Sequence, residues 1–227
     1  MESRAAPRQS QVLGRARLFA AALLAFVAGS SLSPAAADAR TIRLVALGDS
    51  LTAGYGLAPE EAFPAALERA LREKGWDVAV ANAGVSGDTA SAGAARVDWS
   101  VPDGTDGVIL ELGANDALRG LDPAGTETAL RQILDRLKTR NIPVLIAGMY
   151  APRSLGADYY GKFDAIYPRL AAEYGADLYP FFLDGIAGEA RLNLQDGMHP
   201  TAEGVRTIVA RILPTVESFL RRIQPPS

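Results

Sequence analysis

Five short apolar runs, separated by helical patterns, constrain the fold of this chain more than any other feature. They cover residues 42–47 (IRLVAL), 78–81 (VAVA), 108–112 (VILEL), 144–149 (VLIAGM) and 178–182 (LYPFF). Most lack the polar alternation of a strand with one wet face, as expected for strands covered on both sides. Between them, residues 63–74 place Phe63, Leu67, Ala70 and Leu71 at helical spacing, with Pro64 in the first turn. Asp88 can cap a helix over 89–97. Asp122 can cap another over 123–140, whose Leu130, Ile133, Leu134 and Leu137 form one stripe. A further helix is expected over 160–174. Thr201 can cap a last one carrying Val205, Ile208, Val209 and Ile212, which Pro214 should kink or divide. Strands alternating with helices mean a parallel sheet with right-handed crossovers, a three-layer α/β/α domain.

In such a sheet the ligand crevice lies beyond the carboxyl ends of the strands. Three successive runs are followed there by polar and glycine-rich segments. These are Gly48-Asp49-Ser50-Leu51-Thr52-Ala53-Gly54-Tyr55-Gly56, Asn82-Ala83-Gly84-Val85-Ser86-Gly87-Asp88 and Gly113-Ala114-Asn115-Asp116. The chain has one histidine, His199, within Asp196-Gly197-Met198-His199-Pro200, and no cysteine. A serine activated by an imidazole must therefore use His199, which lies 149 positions after Ser50. Asp196 can hold one ring nitrogen and leave the other free. The backbone N–H of Ser50, the backbone N–H of Gly84 and the side-chain amide of Asn115 are candidate donors to an oxyanion. At Gly84 the missing Cβ would let a substrate approach the backbone. Each residue alone has a plainer reading, as a turn serine, an Asx turn or a tight glycine loop. Their order and their shared sheet edge set them apart.

Residues 1–37 read as a secretory signal peptide. Arg4, Arg8, Arg15 and Arg17 precede the apolar stretch 18–28 (LFAAALLAFVA), and small residues follow, with cleavage after Ala37 or Ala39. Eleven apolar residues are too few for a membrane anchor, which needs about 20. Without this leader, 190 residues remain as one domain over 38–223, with 224–227 as a disordered tail. The whole chain has 23 Lys and Arg against 26 Asp and Glu. The leader removes four arginines and one glutamate, which leaves a net charge of −6. That balance disfavours nucleic acid and anionic membranes as partners. The destination is the periplasm or the medium, where the domain stands without disulfides.

The blocks Gly48-Asp49-Ser50-Leu51, Gly84, Gly113-Ala114-Asn115-Asp116 and Asp196-Gly197-Met198-His199-Pro200 together resemble the SGNH or GDSL hydrolases, in family order and over nearly the whole mature chain. The likeness is greatest to the bacterial exported thioesterase I, lysophospholipase and arylesterase branch, through 48–56, Leu130-Arg131-Gln132-Ile133-Leu134, and Phe163-Asp164-Ala165-Ile166-Tyr167-Pro168 before Tyr179-Pro180-Phe181-Phe182. The resemblance implies a five-stranded parallel sheet in flavodoxin-like order. It implies Ser50 as nucleophile, His199 as base, Asp196 as its partner, and Ser50, Gly84 and Asn115 as the oxyanion hole. It also implies hydrolysis of aryl esters, fatty acyl thioesters or lysophospholipids, with no metal, no organic cofactor and no obligate protein partner. Leu118, Leu121, Met149, Tyr150, Ala151, Pro152 and Leu155 are expected to line an acyl pocket, and the loop 150–159 to gate it.

Three other readings compete. A carbohydrate acetylesterase shares the fold. A flavodoxin-like binding module could hold an anion near Gly84–Asp88, but neither a G-x-G-x-x-G fingerprint nor a P-loop is present. A metallohydrolase is poorly served by one histidine and no cysteine.

Overall fold

The apolar runs form five strands in the computed structural model, which describes residues 40–224. They are β1 (Ile42–Gly48), β2 (Val78–Gly84), β3 (Gly107–Glu111), β4 (Val144–Ala147) and β5 (Asp177–Tyr179). All neighbours are parallel, in the order β2-β1-β3-β4-β5. The central strands β3 and β4 are buried throughout and β1 nearly so, while β2 and β5 at the edges are only partly covered. Hence the central runs read as continuously apolar. The expected leader lies outside the described residues, as does the expected tail beyond Gln224.

The helices are α1 (Ser50–Ala53), α2 (Phe63–Glu73), α3 (Ala90–Ser100), α4 (Ala114–Leu118), α5 (Pro123–Thr139), α6 (Ala157–Asp164), α7 (Ile166–Tyr174) and α8 (Ala202–Ile223). Right-handed crossovers place α2, which packs on α8, over one face of the sheet. They place α3, α5 and α7 over the other, where α5 packs on both its neighbours. Leu67 and Leu71 of α2, Ile133 and Leu137 of α5, and Ile212 and Phe219 of α8 are fully buried against strand residues such as Leu47 and Ile109. This apolar burial is the main driving force of the fold.

Four local expectations are corrected. Strand β2 runs three residues further than its apolar run, because pairing with β1 carries it to Gly84. Asp88 does not cap α3. Thr89 does so, accepting from the Ala92 N–H at 3.2 Å, and Asp88 pairs with Arg96 instead. The stretch 160–174 is two helices that meet at Ala165, with Phe163 on one and Ile166 and Tyr167 on the other all buried. Pro214 does not divide α8, since buried Ile212 and Val216 anchor the helix on both sides of it. Asp122 and Thr201 cap α5 and α8 as expected, by accepting from Ala124 N and Gly204 N.

One buried cation joins the ends of two strands. Arg96 of α3 is 6% exposed. Its guanidinium donates to Asp88 at 2.6 Å, to the Ala83 carbonyl at 2.9 Å and to the Gly48 carbonyl at 2.8 Å. It thus fixes the level at which the loops after β1 and β2 leave the sheet. Replacing Arg96 by Leu strands a largely buried carboxylate and two carbonyls. We expect Arg96→Leu to lower the unfolding free energy by about 3–5 kcal/mol in urea titrations. A loss under about 1 kcal/mol would show that other contacts hold those loops.

Candidate active site

Ser50 is the first residue of α1, directly after Asp49, the N-cap that follows β1. Asp49 caps α1 by accepting from the Leu51 N–H at 2.9 Å. Ser50 is 8% exposed, so its hydroxyl sits at the floor of a groove rather than on a rim. Its N–H occupies a helix start, where no intrahelical acceptor exists.

His199 comes from a closed loop before α8. The Leu194 N–H donates to the His199 carbonyl at 2.7 Å, Asn193 bridges Pro200, and the Thr201 N–H donates to the Leu192 carbonyl at 2.9 Å. Asn193 is itself pinned, donating to the carbonyls of Ile186 at 2.7 Å and Glu189 at 3.0 Å. This loop delivers His199 Nε2 to 3.0 Å from Ser50 Oγ. On the other side of the ring, Nδ1 lies 2.6 Å from Asp196 Oδ2. Asp196 Oδ1 accepts from the N–H groups of Met198 at 2.9 Å and His199 at 3.0 Å. Donation from the His199 N–H, then from its ring and the Met198 N–H, holds the Asp196 carboxyl down at about 2. Asp196 is therefore ionised wherever an imidazole titrates. The expected trio is brought together, with its outer member, Asp196, near the surface.

The three expected oxyanion donors are arranged differently from one another. Both hydrogens of the Asn115 amide are engaged, one on Asp49 Oδ2 at 3.1 Å and one on the Asp88 carbonyl at 3.0 Å. The Gly84 N–H donates to Asn82 Oδ1 at 2.9 Å, and Gly84 does not line the groove. The reason for glycine at 84 is also corrected. A Cβ there would lie 2.2 Å from Ala53 N and 2.8 Å from the Asp49 carbonyl, so the position is open to the α1 backbone rather than to substrate.

The groove beside Ser50 holds about 490 Å³. Leu118, Met149, Tyr150, Ala151 and Pro152 line it as expected. Leu121 and Leu155 do not. Leu155 ends a 3₁₀ turn over Arg153–Leu155 and is 38% exposed. Phe181, Leu183 and Met198 line the groove and were not anticipated, because loop residues carry no period to mark a buried face. Tyr55 was also missed as a site residue. Its ring lies over His199 with centroids 4.4 Å apart, and the only sequence signal is an aromatic in the loop after the serine. The loop expected to act as a gate is tethered. Asp164 accepts from the Ala151 N–H at 2.9 Å and from Arg153 at 2.6 Å, and Tyr150 stacks on Phe181 at 4.7 Å.

An imidazole between a hydroxyl and a carboxylate, beside amide donors and an apolar groove, is equipped for acyl transfer. The comparisons with known proteins agree. Residues 46–207 match the model of the GDSL-like Lipase/Acylhydrolase family. Esterase TesA of Pseudomonas aeruginosa is 33% identical over 178 residues, 78% of this chain and 89% of that protein. Thioesterase 1/protease 1/lysophospholipase L1 of Escherichia coli is 39% identical over 161 residues, 70% of this chain and 76% of that one. The crystal structure of AlinE4, an SGNH-hydrolase family esterase, superimposes with a TM-score of 0.67 at 47% identity, covering 80% of this chain and 97% of that one. The sheet order, the site geometry and these matches together show that the chain belongs to the GDSL-like lipase/acylhydrolase family.

Proposed function

We propose that this protein is an exported serine esterase that cleaves carboxylic esters and thioesters through an acyl-enzyme on Ser50. The observation that carries the reading is the 3.0 Å approach of His199 Nε2 to Ser50 Oγ, from segments 149 positions apart. Neutral His199 takes the hydroxyl proton as Ser50 Oγ bonds to the acyl carbon, and the charge of Asp196 stabilises the imidazolium. The leaving alcohol or thiol receives that proton. Water then attacks the acyl-enzyme by the same path and releases the acid. The free N–H of Ser50 meets the developing oxyanion. Asn115 joins it by exchanging its bond to the Asp88 carbonyl for one to the oxyanion.

The groove supports an acyl or aryl group larger than acetyl. Acetate would leave Leu118, Met149, Phe181 and Leu183 uncovered, whereas each buried methylene is worth about 0.8 kcal/mol. A carbohydrate acetylesterase is the reading this disfavours, and relative rates on acetyl-xylan and a medium-chain ester separate the two. Residues 1–37 support export to the periplasm or the medium. Among the described residues no helix is long and apolar enough to cross a membrane.

A panel of p-nitrophenyl esters and acyl-CoA thioesters tests the reading. Ser50→Ala, with an unchanged unfolding midpoint, is expected to lose about 10³-fold or more in kcat and to escape labelling by an organophosphonate that modifies the wild type stoichiometrically. Equal hydrolysis by both proteins would end the assignment.

Since the base works uncharged, kcat/KM should decline on the acid side of the pH profile, where a protonated base cannot accept the hydroxyl proton. Asp196, ionised down to about pH 2, adds no second acid limb there. Asp196→Asn removes the charge that favours imidazolium. Its acid limb should move to lower pH, while kcat drops by about 10²-fold or more. An acid limb at the same pH in both proteins would show that a different group titrates.

Leu118→Trp fills part of the groove. It should depress p-nitrophenyl octanoate hydrolysis about tenfold more than acetate hydrolysis. A uniform effect on both chain lengths would place the acyl chain elsewhere.

A further inference from the structure

Two carboxyl groups lie beneath the nucleophile with no cation to balance them. Asp49 and Glu111 are both fully buried, and among the described residues neither makes an ion pair. Glu111 ends β3 and Gly48 pairs with it across the sheet. A Cβ on Gly48 would come within 2.6 Å of Glu111 Oε2, so the carboxyl is packed directly against the β1 backbone. Glu111 Oε2 accepts from Thr52 Oγ1 at 2.8 Å and from the Asp49 N–H at 3.3 Å. Glu111 Oε1 is buried and accepts from nothing. A buried carboxylate oxygen left so is strongly disfavoured, whereas a protonated oxygen becomes a donor.

The neighbouring acid among the described residues is Asp49, whose N–H reaches the same Glu111 carboxyl. The Asp49 carboxyl charge acts directly on Glu111, and a bond between the two carboxyl groups would require a proton on one of them. Asp49 is the one supplied with other donors, the Leu51 N–H at 2.9 Å and the Asn115 amide at 3.1 Å. Burial, and then the charge of Asp49, push the Glu111 carboxyl well above the ordinary carboxylate range. The surrounding groups offer no competing charge balance. Arg96 is committed to Asp88 and to strand carbonyls, and Asp116 to the Ala90 N–H and Thr126. Tyr167 donates to the Leu112 carbonyl, and His199 lies between Ser50 and Asp196.

We propose that Glu111 is a neutral acid whose hydroxyl donates to the Asp49 carboxylate, and that this bond fixes the oxygen on which the Asn115 amide is oriented toward the reacting carbonyl. Glu111 is thus a positioning residue, acting through Asp49 and Asn115 without touching substrate. The orienting role rests on the acyl-transfer reading above, while the protonation state does not.

The test compares wild type, Glu111→Leu and Glu111→Gln. Glutamine can place its amide nitrogen where the hydroxyl donated and its carbonyl where Thr52 is accepted. Glu111→Leu should lower kcat about 10–100-fold with KM within about threefold, and Glu111→Gln should restore at least about tenfold of that loss. Infrared difference spectra of wild type minus Glu111→Gln at pH 8 should contain the carbonyl stretch of a protonated, buried carboxyl. Absence of that band, or a folded Glu111→Gln as impaired as Glu111→Leu, would overturn the neutral acid. Wild-type kcat in a folded Glu111→Leu would overturn the positioning role. If the wild type itself hydrolyses no ester, the acyl-transfer reading fails and the orienting role with it, whereas the infrared band still decides the protonation state.

Discussion

Strand β1 pairs on one side with β2 and on the other with β3, and its last residue, Gly48, stands opposite both Gly84 and Glu111. That register is the constraint on which the site depends. It ends three strands at one level, so that α1, the turn into α3 and the turn into α4 all begin around the same small volume. The backbone does the gross positioning through parallel ladder bonds, and Arg96 keeps the first two exits aligned. Only the histidine arrives from elsewhere, on a loop closed by its own backbone bonds before α8. Rigid strand ends and a braced loop suit a reaction that needs donors and base within a few tenths of an ångström of their working places.

Much of this was legible in the residues. Continuous apolar runs mark strands that helices cover on both sides, and that signal located every strand, most clearly β3 and β4. It failed at the end of β2, where Asn82 and Ala83 lie in an edge strand whose outer side is wet, so polarity there does not mean departure from the sheet. Asp88 looked like a cap because caps and ion-pair partners draw on the same short polar side chains. The choice fell to Thr89 once Arg96 claimed the carboxylate. Pro214 is a strong local signal, overridden by the buried face of a helix of 22 residues.

The trio was readable because the chain has a single histidine. One histidine admits one partner, and an aspartate three positions before it has a short path to the ring. The groove was less readable. Met149, Tyr150 and Pro152 follow β4 directly and could be placed at its mouth, whereas Phe181, Leu183 and Met198 belong to irregular segments whose direction only tertiary contacts decide. The role of Gly84 was misjudged in mechanism, since space was needed by the chain itself rather than by a ligand. Glu111 reads as one polar interruption in an apolar run. Nothing in one dimension shows that it lies fully buried beside a second acid.

Beyond the residue at position 1, the chain has only two sulfur atoms, those of Met149 and Met198, and both face the groove. Met149 is 2% exposed, whereas Met198 is 47% exposed and adjoins the sole imidazole in sequence. With no thiol anywhere, peroxide stress has one accessible soft target in this domain. Conversion of that thioether to a sulfoxide would turn part of an oily wall polar while the core stayed intact. Oxidative damage would accordingly register first in the wall of this groove, well before any loss of structure.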